Sequence, residues 1–260
     1  VILALLSGLA LARATGRVVG LRDRLMHVNR ILLAIRNVNQ LITHEKDRDR
    51  LLQHTCDMLV ETRGYLNAWA LVLGDEKGEG RACFGAGFGP SFKVLEKDVA
   101  DGRLPRCVQG VFDVEPDGVL VVRDALAECP GCPVAEHHGP HAGLVVRLRR
   151  GGRTFGVLAV SVPHLYADDE REQSLLREVA GDLAFALYAL QTEARQAQVE
   201  RRFQAALAVT SDAVITCDLQ GYISAWNRGA ERMFGCEAEG MQGVALKSLL
   251  PEDARGLHRE

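Results

Sequence analysis

Residues 142–190 read AGLVVRLRRGGRTFGVLAVSVPHLYADDEREQSLLREVAGDLAFALYAL. Two apolar runs rich in β-branched residues, 144–148 and 154–162, flank Gly151–Gly152, which predicts a β-hairpin with a tight turn. The acidic residues 168–170 follow where a helix N-terminus favours negative charge. Beyond them, apolar residues recur at alternating spacings of three and four, which predicts a long helix with one buried face: Leu176, Val179, Leu183, Ala186 and Leu190.

The composition is that of an ordinary globular chain, with 47% hydrophobic and 25% charged residues among 260. A net charge of -3 argues against a general nucleic-acid binder, which needs a clustered basic surface, so we expect no nucleic-acid partner. The seven cysteines lack the spacing of a secreted disulfide scaffold and favour a reducing compartment. Because the sequence starts at Val1 rather than Met, we expect a piece of a longer chain.

The N-terminal residues 1–16 begin with the uncharged run VILALLSGLALA, and arginines follow it. The run is shorter than the roughly 20 residues that span a bilayer, but arginines in this place are typical of the cytoplasmic side of a membrane helix. We therefore interpret residues 1–16 as the end of a transmembrane helix. A buried helix and the remnant of a signal peptide are the alternatives.

Residues 17–46 carry a heptad pattern with one polar residue in the apolar seam. This pattern predicts a parallel, dimeric coiled coil, in which the polar residue fixes register, and hence a homodimer. An amphipathic helix packed on its own domain is the alternative. The seam consists of Leu21, Leu25, Val28, Leu32, Ile35, Asn39 and Ile42.

Residues 47–190 contain the elements of one α+β domain. A helix over 47–63 ends at Gly64, and strands over 65–73 and 81–84 precede the hairpin and helix of 142–190. Together they predict an antiparallel sheet flanked by helices. The pattern "L…RGY…AW…L…G" and the closing hairpin and helix resemble a GAF domain, a small-molecule sensing module. This resemblance implies that the Gly- and Pro-rich residues 85–140 cover a ligand pocket.

Residues 191–203 are polar helix formers and predict a helical connector. Residues 204–260 contain two short strands, a turn and a helix stopped at Gly235. The motif DLQGYISAWNRGAERMFG in this region resembles the start of a PAS domain. The pattern stops before the last helix and three strands of that fold, so we interpret it as a truncated PAS domain.

The cysteines of residues 85–140 are the sharpest candidates for chemistry. Cys129 and Cys132 are spaced as C-x-x-C, which can present two sulfurs to one zinc ion. Cys107 and Cys83 would complete a four-ligand set, with His137 or His141 as the alternative fourth ligand. A reversible thiol–disulfide pair at Cys129 and Cys132 is a second interpretation, and plain cysteines in a Pro-Gly turn are a third.

Other ligands have weaker support in the sequence. A non-covalent haem needs an axial ligand, for which five histidines are candidates. Of the motif that GAF domains use for cyclic nucleotides, this sequence keeps only Asp169-Glu170, and it has no cysteine placed for a bilin pigment. No hydrolase, metalloprotease or phosphate-loop motif occurs, so we expect no catalytic residues and no enzyme within these residues. The histidines are His54, His137, His138, His141 and His164.

The resemblances imply a bacterial membrane-bound signalling protein at the inner membrane, with residues from 17 onward in the cytoplasm. Its GAF core would sense a small molecule, a metal or a redox state and pass the signal through dimeric helices to the PAS domain. A histidine kinase or diguanylate cyclase output would lie beyond residue 260. A ligand-free dimerisation scaffold and a thiol redox switch at Cys129 and Cys132 are the alternatives.

Overall fold

The computed structural model describes residues 33, 36–38, 40–74 and 81–249, leaving out the side chains of 208 and 209. The chain divides into two compact units, Val1–Gln191 and Thr192–Glu260. The predicted transmembrane segment, 1–16, and most of the predicted coiled coil, 17–46, lie outside the described residues. Of the predicted seam, Ile42 packs against the core of its own unit, next to the fully buried Val38.

The prediction of an inner-membrane location is wrong on the described part of the chain, where no helix is both long and apolar enough to cross a bilayer. The longest helix of the described residues, Glu170–Val209, has 40 residues, but charged residues divide its sequence into short apolar stretches. Charged side chains within the hydrocarbon region are costly, so length alone does not make a membrane span.

In the first unit, residues 40–44 are helical, and helix α1, Arg48–Met58, follows them and continues into a π-helical turn, Leu59–Arg63. The Asp47 carboxylate accepts a hydrogen bond from the Arg50 N–H and caps the helix start. Gly64 ends the helix with φ of 82°, a left-handed conformation that favours glycine. The predicted helix over 47–63 and its glycine stop are thus confirmed.

Five antiparallel strands form one sheet: β1 Ala68–Val72, β2 Ala82–Ala86, β3 Val119–Val122, β4 His141–Arg150 and β5 Arg153–Pro163. Their order in the sheet is β2-β1-β5-β4-β3. The predicted hairpin is its centre: β4 and β5 pair along most of their length, and Gly151 and Gly152 turn the chain with φ of 59° and 79°, as a type I′ turn requires.

The two faces of the sheet support two separate buried clusters. Ala70, Leu144 and Leu158 point to the face that carries α1 and the first part of helix α5, Glu170–Val209. The side chains that point to the opposite face, among them Trp69 and Val145, contact residues 85–140. The helices and the cover of residues 85–140 therefore lie on opposite sides of one sheet. The predicted α+β fold, an antiparallel sheet flanked by helices, is confirmed.

Residues 85–140, which are rich in Gly and Pro, contain regular elements. Three short helices cover the second face of the sheet, with Leu95, Val99 and Val108 buried there, and strand β3 forms one edge of the sheet. The helices are α2 Phe92–Ala100, α3 Arg106–Gly110 and α4 Ala125–Glu128, with 3-10 turns at Gly89–Ser91 and Ala135–His138. A further 3-10 turn, His164–Tyr166, leads into α5.

The second unit contains the end of α5 and a small α+β assembly. Strands β6, Ile215–Cys217, and β7, Ile223–Trp226, pair antiparallel. Asn227 then caps helix α6, Arg228–Phe234, by accepting a hydrogen bond of 2.8 Å from the Ala230 N–H, and Gly235 ends it. Helix α7, Ala238–Met241, and a 3-10 turn, Leu246–Leu249, follow. The two strands and the helix that ends at Gly235 were predicted from the sequence, whereas α7 and the 3-10 turn were not.

Candidate functional site

A small enclosed cavity lies between the sheet and its cover, on the face opposite α1 and α5. Its volume is ≈ 20 Å³, which by this measure is room for about one water molecule. Small side chains on the strands leave this space, because Gly143 and Ala159 occupy positions where larger residues would fill it. The lining residues are Trp69, Cys107, Val122, Ala125, Cys129, Cys132, Val134, Ala135, His138, Gly143, Val145 and Ala159.

Three of the four cysteines predicted as metal ligands meet at this cavity. Cys107 lies at the start of α3, and Cys129 follows α4 directly. A tight turn then brings Cys132 to the same cavity, with a hydrogen bond of 3.1 Å from the Cys132 N–H to the Cys129 carbonyl. All three are free thiols. The C-x-x-C pair and Cys107, distant in sequence, therefore form one thiol cluster.

Within this cluster, hydrogen bonding with the Cys107 thiol lowers the pKa of Cys129 to about 7, helped by the Cys107 N–H and the Arg106 charge and opposed by burial. The same hydrogen bond, together with burial, raises the pKa of Cys107. Burial also raises the pKa of Cys132. The sulfur of Cys129 is thus the one whose thiolate the structure stabilises.

The fourth predicted ligand, Cys83, lies elsewhere. It is on β2, where burial raises the pKa of its thiol to about 12 and Cys56 is its neighbouring thiol. The alternatives His137 and His141 do not line the cavity either. Among the described residues, no three Cys, His, Asp or Glu side chains are grouped to hold a metal ion. The zinc site at Cys83, Cys107, Cys129 and Cys132 stays a prediction.

His138 borders the thiol cavity and belongs to a polar network that the sequence did not predict. The Asn67 side-chain N–H donates a hydrogen bond to the His137 carbonyl oxygen (3.1 Å). The Asn67 side-chain oxygen accepts a hydrogen bond from the Ser161 hydroxyl (2.6 Å). The Ser161 oxygen lies 2.5 Å from the His138 Nδ1. Because the hydroxyl proton is already donated to Asn67, the pattern assigns the proton of the neutral ring to Nδ1 and the lone pair to Nε2.

The environment of His138 favours the neutral ring. Burial lowers its pKa, and the neighbouring His137 and His141 act in the same direction. The ring also contacts Phe88 edge to face, with 6.3 Å between centroids. The cavity therefore presents a neutral imidazole beside a thiol cluster and the indole of Trp69.

An open cleft lies on the outer side of the same thiol turn. Its volume is ≈ 310 Å³, and Arg103, Arg106 and Asp98 line it together with the turn 130–133. Cys132 lines both the cleft and the inner cavity.

Sequence reasoning found the cysteines of this site but not its polar residues. Asn67 and Ser161 are 94 positions apart, and only the pairing of β1 with β5 brings them together. A signal was present, since both are fully buried polar residues that interrupt otherwise apolar strand segments. Trp69, a buried residue of β1, lines the cavity.

Comparisons with known proteins agree with this architecture. A sequence model of the GAF domain family matches residues 45–187, and one of the PAS domain family matches residues 201–259. No curated protein matches the chain.

Among solved structures, the GAF domain of a phosphoenolpyruvate-protein phosphotransferase from Coxiella burnetii has a TM-score of 0.50 and 15% identity, covering 64% of this chain and 97% of that one. Its counterpart from Acinetobacter has a TM-score of 0.47 and 14% identity, covering 62% and 94%. Free methionine-R-sulfoxide reductase from Neisseria meningitidis has a TM-score of 0.42 and 22% identity, covering 62% and 89%. At these identities the likeness concerns the fold alone.

Proposed function

This chain belongs to the GAF domain family, and we propose that it is the sensory region of a bacterial signalling protein in which the GAF cavity detects a small molecule. GAF and PAS domains are sensory modules, and the two follow one another here, so the chain has a signal-sensing role. In this proposal the output activity, that of a histidine kinase or a diguanylate cyclase, is supplied by a domain other than the GAF and PAS domains. The described residues themselves would transmit and not catalyse.

The observation that carries this proposal is the position of the cavity relative to the helices. The sheet that forms the cavity floor with Trp69, Gly143 and Ala159 carries α1 and α5 on its other face. A change in the cavity would alter the pleat of these strands, and strand residues that point to the other face, such as Leu144 and Leu158, belong to the same buried cluster as Leu176 and Leu183 of α5. Helix α5 begins in the first unit and ends in the second, so it is the element that would carry the change onward.

Such a mechanism requires two packings of the same core. A ligand shifts the balance between them only by its difference in affinity for the two. Close-packed interiors respond to the addition of a single methyl group, so even a water-sized occupant is enough to favour one packing.

The proposal can be tested by filling the cavity. A Cβ at Gly143 would contact Val122 at 3.5 Å and His138 at 3.8 Å, so Gly143→Ala adds a methyl group to the cavity without a clash. Gly110→Ala is the matched control, since its Cβ would contact Leu120 at 3.4 Å in the cover, away from the cavity.

Hydrogen–deuterium exchange of the full chain gives the readout. For Gly143→Ala we expect exchange in residues 170–190 to change by about threefold or more, because the opening free energy of a helix responds to core changes of under 1 kcal/mol. For Gly110→Ala we expect no change there. Unaltered exchange in Gly143→Ala would contradict the proposal.

A further inference from the structure

We propose that the open cleft on the outer side of the turn 130–133 binds a small organic monocarboxylate, with the carboxylate at Arg106 and an apolar body against the prolines of the turn. The inference goes beyond the sensory function proposed above, because this cleft lies on the outside of the cover and the sensory cavity lies beneath it. The volume of the cleft, ≈ 310 Å³, is within the range of small-molecule sites, which starts at about 300 Å³.

Arg106 supplies the positive charge that the cleft offers to a ligand. It is the first residue of α3, is exposed and lines the cleft. Its guanidinium forms no ion pair or hydrogen bond within the described part of the chain. The other arginine of the cleft, Arg103, is engaged: its Nη2 donates hydrogen bonds to Asp98 at 2.6 Å and to Asp101 at 2.9 Å. A ligand carboxylate therefore pairs with Arg106, whose planar set of donors matches it with two parallel hydrogen bonds.

The carboxylates beside Arg103 limit the charge that the ligand carries. Asp98 lines the cleft, and both Asp98 and Asp101 form ion pairs with Arg103. Two negative charges therefore face one positive charge there, and a doubly charged ligand is repelled by the excess. The single charge of a monocarboxylate is balanced by Arg106. The cleft thus favours a monocarboxylate over phosphate or a dicarboxylate.

Part of the cleft wall is apolar and selects for an apolar ligand body. Pro130 and Pro133 of the turn contribute to this wall together with Leu104, and the fully buried Leu95 also lines the cleft. An apolar ligand body that covers these side chains removes apolar surface from water, which is favourable. One guanidinium beside an apolar wall therefore suits a carboxylate that carries an apolar group better than it suits a bare anion.

Hydrogen bonds hold the walls of the cleft in place. The Arg103 N–H donates to the Asp98 carbonyl oxygen at 2.7 Å and closes the end of α2. The Gln109 side-chain N–H donates to the Leu104 carbonyl oxygen at 3.3 Å and ties α3 to the segment before it. A backbone hydrogen bond of 3.1 Å closes the turn 129–132. Because the site is already ordered, little of the binding free energy is lost in forming it.

An NMR titration of the full, ¹⁵N-labelled chain tests the inference, with benzoate as the probe. Benzamide has nearly the same shape without the charge, and phosphate has charge without an apolar body. We expect benzoate to bind with a dissociation constant of about 1 mM or lower. We expect benzamide and phosphate to bind about tenfold more weakly or worse, since hydrogen bonds between charged groups are the stronger ones.

The same titration locates the site. We expect the amide signals of Gln109 and Gly131, which line the cleft, to shift with benzoate concentration. The amide signal of Gly143, which lines the inner cavity, should stay in place, because a volume of ≈ 20 Å³ admits only a molecule close to water in size.

Two arginine variants test the assignment of the carboxylate partner. Arg106→Gln removes the charge, so we expect benzoate to bind about tenfold more weakly and benzamide to bind as before. Arg171→Gln is the matched control, since Arg171 is also exposed but lies on α5, outside the cleft. We expect it to leave the binding of both probes unchanged.

Four results would overturn the inference: benzamide binding as tightly as benzoate, shifts that lie away from the cleft, equal losses in the two arginine variants, or no saturation with benzoate below about 10 mM. The wild-type series with the three probes decides the question even if a variant fails to fold. The exchange experiment on Gly143→Ala concerns the inner cavity alone, so the sensory proposal and this inference stand or fall separately.

Discussion

Arg63 and Glu172 form an ion pair inside the protein, with 7% and 1% of their side chains exposed. Arg63 is the last residue of the turn that ends α1, and Glu172 lies in the first turn of α5. Tyr65 donates a hydrogen bond of 2.5 Å to the same carboxylate, and its ring lies 5.2 Å from the Arg63 guanidinium. Burial, followed by the Glu172 charge, raises the pKa of Tyr65, so the phenol stays protonated and can donate.

We expect this cluster to hold the helix that leads into the sensory domain to the helix that leaves it. Glu172→Gln removes the carboxylate charge from this buried ion pair with Arg63, so we expect a loss of about 3–5 kcal/mol in the free energy of unfolding. Urea denaturation monitored by circular dichroism measures it. The exposed pair Arg123–Asp168 provides the control, since screening makes such pairs weak. A loss in Asp168→Asn equal to that in Glu172→Gln would contradict this prediction.

A second prediction concerns acid stability. The pKa of His138 is lowered in the folded state by burial and by His137 and His141. A base whose pKa is lower when folded binds its proton more readily when unfolded, so its contribution to stability is present above its unfolded pKa of about 6.5 and is lost as the pH falls below that value.

We therefore expect the free energy of unfolding to fall between pH 7.5 and pH 5.5, and to fall less in His138→Gln, which keeps a donor for Ser161. Urea titrations at about these two pH values measure both slopes. His164→Gln, at an exposed position, should keep the wild-type slope. An equal slope in wild type and His138→Gln would show that His138 does not control the acid response.

The sequence predicted those elements whose signals are local. The hairpin turn at Gly151–Gly152 and the helix end at Gly64 both need positive φ, and the glycines at these positions made both features predictable. Helix α2 was missed although Phe92, Leu95 and Val99 recur at spacings of three and four. Strand β3 was also missed, although its four residues, VLVV, are an apolar, mostly β-branched run of the kind that favours strands.

The site divides in the same way. Cysteine spacing pointed to Cys129 and Cys132, and residue type alone added Cys107 and Cys83. In the structure Cys107 lines the cavity, whereas Cys83 lies on β2. Which cysteines come together depends on how residues 85–140 fold over the sheet, and cysteine spacing does not specify this. The hydrogen bonds joining Asn67, Ser161 and His138 depend on strand pairing and could not be derived from spacing.

A third prediction contrasts two strand glycines. A Cβ at Gly156 would lie 1.9 Å from the Leu71 carbonyl oxygen, in the backbone of the neighbouring strand. Gly156→Ala must therefore separate β5 from β1, and we expect it to cost about 3 kcal/mol. Gly143→Ala, which meets only ordinary contacts, should change the free energy of unfolding by less than about 1 kcal/mol. Chemical denaturation of both variants checks this, and equal losses would contradict it.

The last prediction concerns the dimer expected from the sequence. Phe185 and Tyr188 lie on α5 three residues apart and are 47% and 48% exposed, an unusual exposure for adjacent aromatic side chains. Arg150 lies 4.3 Å from the Phe185 ring centre and leaves much of that ring open. We expect two copies of the chain to associate through this face of α5, with the aromatic side chains as the principal contacts.

If so, Phe185→Glu combined with Tyr188→Glu should weaken the dimer by about 100-fold, or about 2.7 kcal/mol. Sedimentation equilibrium of the full chain over a range of concentrations measures this dissociation constant. Leu165→Glu is the matched control, because Leu165 is a large apolar residue, 82% exposed, outside α5. A wild-type chain that stays monomeric, or a dimer that both changes weaken equally, would show that α5 is not the dimer contact.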